Sequence, residues 1–170
     1  FVPISRKVLA SLDPAVLPAG VKEREEVVKN LLQSAVQAGC TGRPSVETML
    51  HDAIHAQFVV HTHPALVNGL TCAVNGAREC ARLFPGSLWI EYTDPGYVLF
   101  AKVDALIKEH RKAHGGKEPA LIFLENHGVF VGGDSEEAIA ASYKNILDTL
   151  KAEYRKVGIA TEMEFKPAPL

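Results

Sequence analysis

The sequence predicts an α/β sandwich with helices on both sides of a sheet. Three observations carry this expectation. Apolar runs of strand length, Phe58-Val59-Val60, Leu88-Trp89-Ile90 and Leu121-Ile122-Phe123-Leu124, are bounded by polar or turn residues. Longer stretches with apolar residues at three- and four-residue spacing lie around and between them. The two kinds of segment interleave along the chain, the pattern of helices layered on a sheet. At 170 residues the chain is expected to be a single domain, residues 1–170, with a core that needs no staples.

The elements follow in order. Val2–Ser5 is extended, and Arg6–Leu12 forms a helical turn. Asp13–Gly20 carries two prolines and reads as a loop. Lys22–Gln37 places Val27, Val28, Leu31, Leu32 and Val36 on a helical period, and the turn residues Gly39-Cys40-Thr41-Gly42 end it. Pro44-Ser45 starts a helix that continues from Glu47 to Gln57 through Met49, Leu50, Ala53 and Ile54. After the strand ending in His61-Thr62-His63, Pro64 and Ala65 open a helix to Leu70, and Leu83–Ser87 is a loop. Leu88–Tyr92 is a strand closed by the turn Thr93-Asp94-Pro95-Gly96. Tyr97–His110 is a helix with Val98, Ala101, Leu106 and Ile107 inward, and His114–Lys117 is a loop. Leu121–Phe123 and Gly128–Val131 are two strands, or one strand broken at His127, and Gly132-Gly133 turns the chain. Asp134 and Glu137 have capping-box spacing for a long helix, buried at Ile139, Ile146, Leu147 and Leu150 and reaching about Tyr154. Phe165–Leu170 is irregular.

Composition narrows the function. A net charge of −2 with no basic stripe argues against nucleic acid, and apolar runs too short to span a bilayer argue against a membrane. No signal peptide is expected at the start of the chain. Cys40, Cys72 and Cys80 are odd in number and lack Cys-x-x-Cys spacing, so reduced, buried thiols in a cytoplasmic protein are expected. The chain begins at Phe1 rather than Met, and the domain is expected to be N-terminally incomplete.

The chemistry concentrates in seven histidines, three of them at strand ends. His61 and His63 are two apart on a strand and share a face. His127 follows the run Leu121–Leu124. Three neutral imidazoles converging there would hold a transition metal and leave a fourth position open. The competing reading is histidines hydrogen-bonded at a sheet edge. Glu47, in the first turn of the helix before the His-x-His strand, is favoured as a carboxylate by the helix dipole. Near a metal it would be a ligand or a general base. Its plainer role is to compensate the dipole at the surface. His51 and His55 follow at four-residue intervals and read as surface or supporting groups, His110 and His114 as solvated.

Four segments together carry a resemblance. Arg43-Pro44-Ser45-Val46-Glu47-Thr48, His61-Thr62-His63-Pro64, Glu91-Tyr92-Thr93-Asp94-Pro95-Gly96 and Asn126-His127-Gly128 resemble, in order and spacing, the class II aldolase/adducin family. Its members include the sugar-phosphate aldolases and epimerases related to fuculose-phosphate aldolase. The resemblance implies a three-layer α/β/α sandwich with a central, mostly antiparallel sheet. It implies Zn²⁺ on His61, His63 and His127, with Mn²⁺, Co²⁺ or Fe²⁺ as alternatives, and Glu47 as acid/base. Tyr92 matches a tyrosine proton donor supplied across a subunit boundary, which implies a homo-oligomer, commonly a tetramer. The family's phosphate-holding Gly-Asn-x-Ser loop is not found, and Ser45-Val46-Glu47 replaces Ser-Ser-Glu. Phosphate on the substrate is therefore optional, with Arg43 and Ser45 as candidate anion-binding residues.

The expectation is a metal-dependent lyase that cleaves or forms a C–C bond in a sugar or sugar phosphate through a zinc-stabilised enediolate. The rivals are epimerisation, dehydration or decarboxylation at the same metal site, and a non-catalytic adducin-like scaffold. Three intact histidines argue against the scaffold.

Overall fold

The structure is a computed structural model that describes residues 2–161. The described elements are α1 (Arg6–Leu9), a 3-10 turn (Pro14–Val16), α2 (Val21–Ser34), α3 (Thr48–Ala53), β1 (Phe58–Thr62), α4 (Ala65–Thr71), α5 (Gly76–Leu83), β2 (Leu88–Ile90), α6 (Tyr97–Ala113), β3 (Leu121–Leu124), β4 (Gly128–Gly133) and α7 (Glu136–Lys156). They fall into two compact units. One comprises the chain to His55 with Thr93–Glu118, the other Ala56–Tyr92 with the chain from Pro119 onward.

The first unit is helical. Leu9, Val28, Leu32, Ala35 and Met49 form its core, with Tyr97 and Phe100 of α6 packed against it. Ile4 bridges Val36 and ties the extended N-terminal segment to the end of α2. α3 is shorter than the sequence predicts. It stops at Ala53, whose carbonyl accepts from the Arg111 guanidinium at 2.8 Å, and Ile54 is extended. On α6 the inward residues are Leu99, Val103 and Ile107, while Val98 is 46% exposed.

The second unit holds the sheet, ordered β1-β4-β3-β2. β1 pairs antiparallel with β4 and β4 with β3, while β2 joins β3 in parallel. The registers put Val60, Phe123, Val129 and Val131 on one face, where they pack on Val67 and Leu70 of α4 and Ile139, Ile146 and Leu150 of α7. Ile90, Ile122, Leu124 and Phe130 point to the other face and are equally shut off from water. Helices packed on a mostly antiparallel sheet make this an α/β fold.

Several local expectations are corrected. β3 and β4 are separate strands, joined by Glu125-Asn126-His127. β2 ends at Ile90, not Tyr92. Gly132-Gly133 does not turn the chain but pairs with Val59 and Phe58 at the end of β4. The α7 cap is Ser135, whose Oγ accepts from the Ala138 N–H at 3.1 Å, while Asp134 accepts from the Gln57 N–H. α5 was not expected. Gly76 and Cys80 are its buried residues, and Ala77, Cys80, Ala81 and Phe84 recur along it at helical spacing. Cys40 and Cys72 are exposed, and only Cys80 is buried. Phe165–Leu170 lies outside the described residues. No helix among the described residues is long and apolar enough to cross a membrane.

Candidate functional site

The antiparallel register of β1 and β4 assembles the histidine cluster. Thr62 pairs with Val129. The next step outward therefore sets His63 beside Gly128, with His127 in the turn just before it. The three imidazole centroids lie 4.6, 4.7 and 5.1 Å apart, edge-on to one another. One nitrogen from each ring lies within 4.8 Å of the others. His61 and His127 are half-buried and His63 is exposed, so the cluster is open on one side.

The His61 ring is held from behind. His61 stacks on Phe130 at 3.9 Å between centroids. Its Nδ1 lies 3.0 Å from the Val129 carbonyl. Donation to that carbonyl assigns the proton to Nδ1 and leaves the Nε2 lone pair facing the other rings. Thr62 points to the opposite face, where its hydroxyl donates to the Tyr143 phenol at 2.8 Å. Tyr143 in turn donates to the Val60 carbonyl at 3.4 Å. Burial pushes the Tyr143 phenol above its ordinary pKa, so it stays a neutral donor. Gly128 is required by close approach. A Cβ there would stand 2.4 Å from His63 Cδ2 and 2.5 Å from the Thr62 carbonyl oxygen.

The turn before Gly128 is also pinned. Asn126 sits in the left-handed region at φ 57°, a conformation asparagine tolerates better than most residues. Its N–H donates to the Thr71 carbonyl at 3.0 Å, and the His127 N–H to the Leu124 carbonyl at 3.1 Å. The Glu125 N–H donates to the Ile90 carbonyl at 2.9 Å, and the Glu125 carboxylate accepts from the Tyr92 N–H at 2.8 Å. The end of β2 is thereby tied to the turn that carries His127.

The donor set fits a transition metal. The Nε2 atoms of His61 and His63 face each other at 2.8 Å. Two lone pairs at that distance repel unless a proton or a cation lies between them. Three imidazole nitrogens, one with an orienting carbonyl behind it, suit Zn²⁺ and its first-row neighbours.

Glu47 in the first unit is the N-cap residue of α3, one position before its first turn, and is half-buried. Its N–H donates to Ser45 Oγ at 3.1 Å, so the Ser45 hydroxyl helps shape the entry to α3. Arg43 and Ser45 are exposed. Tyr92 is 57% exposed, in keeping with a side chain that does not pack on its own sheet. His55 lies past the end of α3, 3.8 Å from Glu118, so it shares no helix face with Glu47 and His51. His110 and His114 are not simply solvated. Their rings stack at 4.0 Å, and His110 is half-buried with its pKa lowered, by burial first and by His114 second. Tyr143, Glu125 and Thr71 support this region without any sequence pattern that singles them out. Glu125 directly precedes Asn126-His127-Gly128, but nothing in the sequence marks Tyr143 as the partner of Thr62.

Residues 15–149 match the family described as Class II Aldolase and Adducin N-terminal domain, and the chain belongs to that family. The family includes metal-dependent aldolases and non-enzymatic adducins. The chain is 29% identical over 96 residues to the uncharacterized oxidoreductase YuxG of Bacillus subtilis (strain 168), an alignment that takes 56% of this chain and 13% of that one. It is similar in structure to the N-terminal class II aldolase domain of a conserved protein from Thermoplasma acidophilum, with a TM-score of 0.69 at 22% identity, over 87% of this chain and 63% of the other. An aldolase II superfamily protein from Pseudomonas syringae aligns at a TM-score of 0.51 and 17% identity, over 78% and 54%. The chain thus spans less than two thirds of each of these proteins. At such identities the structural likeness speaks for the fold.

Proposed function

We propose that this chain is a metal-dependent lyase of the class II aldolase type, which makes or breaks a C–C bond in a small hydroxy-carbonyl compound such as a sugar or sugar phosphate. The observation that carries the reading is the three-histidine cluster, with His61 oriented by the Val129 carbonyl. His61, His63 and His127 would hold a divalent cation, Zn²⁺ first among the candidates. When bound, that ion supplies Lewis acidity toward the oxygens of the substrate.

The remaining chemistry belongs to the chain. In the bond-forming direction Glu47 removes a proton from the carbon next to the carbonyl, and the electron pair left there attacks an aldehyde. The Tyr92 phenol gives its proton to the aldehyde oxygen as that oxygen becomes a hydroxyl. In cleavage Tyr92 takes the proton back, the C–C bond breaks, and Glu47 returns its proton to carbon. Arg43 and Ser45 attract an anionic end of the substrate where it has one. A homo-oligomer, with Tyr92 serving a neighbouring copy, and a cytoplasmic location complete the proposal, together with a single-domain organisation.

The test separates the half-reaction from the sugar. Zinc-loaded protein is incubated with dihydroxyacetone, or its phosphate, in deuterated water, and exchange at the hydroxymethyl carbon is followed by NMR. Exchange is expected without added aldehyde. Glu47→Gln should keep the metal and slow exchange by about two to four orders of magnitude, the range of a lost general base. No exchange from either compound, and no aldol product from a panel of aldehydes, would overturn the aldolase reading.

A further inference from the structure

The first unit contains a hollow of about 580 Å³, open to solvent, between α2, the segment leading into α3, and the start of α6. Its volume lies within the range of small-molecule sites, roughly 300–1,000 Å³. The floor is the core of the unit itself. Val28, Leu32 and Met49 line it, joined by Phe100. Val46 stands at the wall, 60% exposed. An apolar floor of this kind gains by being covered with something other than water.

The rim gives the charge of what covers it. Two acids are present and both are engaged. Glu26 is held by the Lys29 ammonium, at 3.0 Å from each oxygen. Glu25 accepts from the Tyr97 N–H at 3.1 and 3.3 Å and so caps the start of α6. The two cations Lys22 and Arg43 also line the hollow, and among the described residues neither has an acidic partner. An unpaired guanidinium with its donors in a fork suits a carboxylate. A neutral apolar compound would leave both cations unused, and a bare sugar would leave the floor wet.

We infer that this hollow is a binding pocket for a small amphipathic carboxylate, its apolar body on Val28, Leu32, Met49 and Phe100 and its carboxylate drawn by the rim cations, Arg43 first. The inference does not depend on the metal-centre reading; with Arg43 given to this carboxylate, Ser45 is the residue left for an anionic end of the substrate.

The probes are octanoate, the charge-reversed octylamine and neutral octanol, titrated into the intact chain by calorimetry, with and without prior treatment with EDTA. One octanoate per chain should bind saturably, more tightly than octanol, with no binding of octylamine, and chelation should leave the isotherm unchanged. Lys22→Gln with Arg43→Gln should weaken octanoate by about tenfold or more, the loss of charged hydrogen bonds, while octanol binding stays. Val46→Trp should block all the probes. These three positions are exposed, and circular dichroism checks that the variants fold. If one does not, the contrast between octanoate and octylamine on the unaltered protein decides. Absence of saturation at millimolar octanoate, equal binding of octylamine, or loss of binding after chelation would each overturn the proposal. So would a dimer that Val46→Trp dissociates while octanoate fails to bind, because the hollow would then be covered by a second copy of the chain.

Discussion

Gly128→Ala is the substitution whose effect can be worked most directly from the structure. The added methyl would stand 2.4 Å from His63 Cδ2 and 2.5 Å from the Thr62 carbonyl oxygen. Ordinary contact begins near 3.4 Å, so the groups must part by about 1 Å. Neither can yield freely. The Thr62 carbonyl belongs to the β1 backbone paired with β4, and the Thr62 side chain is bonded to Tyr143. The His63 ring is the group that can turn aside, while the Thr62 contact loads the β1–β4 pairing itself. A displacement of about 1 Å in a reacting or ligating group costs on the order of a hundredfold. A comparable loss, about 10- to 100-fold in metal affinity, attends disturbed supports of metal ligands. Overpacking costs about 1–3 kcal/mol of stability besides. The assay is competition for Zn²⁺ against a chromophoric chelator, with a urea melt of the metal-free protein. Zinc affinity within threefold of the unaltered protein, with the fold intact, would refute the assignment of His63 as a ligand or the close approach that fixes it.

Two further predictions concern the supports of the second unit. Tyr143→Phe should lower stability by about 0.5–1.5 kcal/mol through the lost Thr62 bond. In urea melts its effect should be non-additive with Thr62→Val, and strict additivity would show that the bond contributes nothing. Burial pushes the Cys80 thiol from about 9 up to about 11. The native state then keeps a proton that the unfolded chain gives up, so this contribution is full below pH ~9 and is lost as pH rises toward 11. A thiol reagent at pH 8 should react quickly with Cys40 and Cys72 and reach Cys80 only on unfolding. Three fast thiols would contradict the burial.

The strands and the His61/His63 pair are legible in the sequence because both rest on short-range patterns. Phe58–Val60 and Leu121–Leu124 are short apolar runs that read as strands, although only β3 is buried and β1 is half-buried with Phe58 exposed, and a two-residue spacing on a strand fixes a shared face. What brings His127 to His61 and His63 is long-range, the antiparallel pairing of β1 with β4, and the order of motifs in a known family stood in for it. Where burial had to be guessed from period alone, the reading slipped by a residue. On α6 the inward set begins at Leu99 rather than Val98, since both registers are apolar at that end. The capping of α7 slipped in the same way, because Asp134 and Ser135 are both good caps and only the Gln57 contact separates them. The short α3 could not be foreseen. Its end is set by Arg111, more than fifty residues away, which takes the Ala53 carbonyl. The hollow of the first unit is likewise invisible in the sequence, being a gap between helices whose apolar residues read as ordinary core.

The central claim is that His61, His63 and His127 form one metal centre. Metal analysis tests it most directly, on protein purified without chelator and then dialysed against excess zinc. About one zinc per chain is expected, the stoichiometry of a three-histidine site. The variants His61→Gln, His63→Gln and His127→Gln should each lose tight zinc while keeping their far-ultraviolet circular dichroism. A protein that takes up no zinc, or one whose zinc survives the triple substitution, would contradict the account.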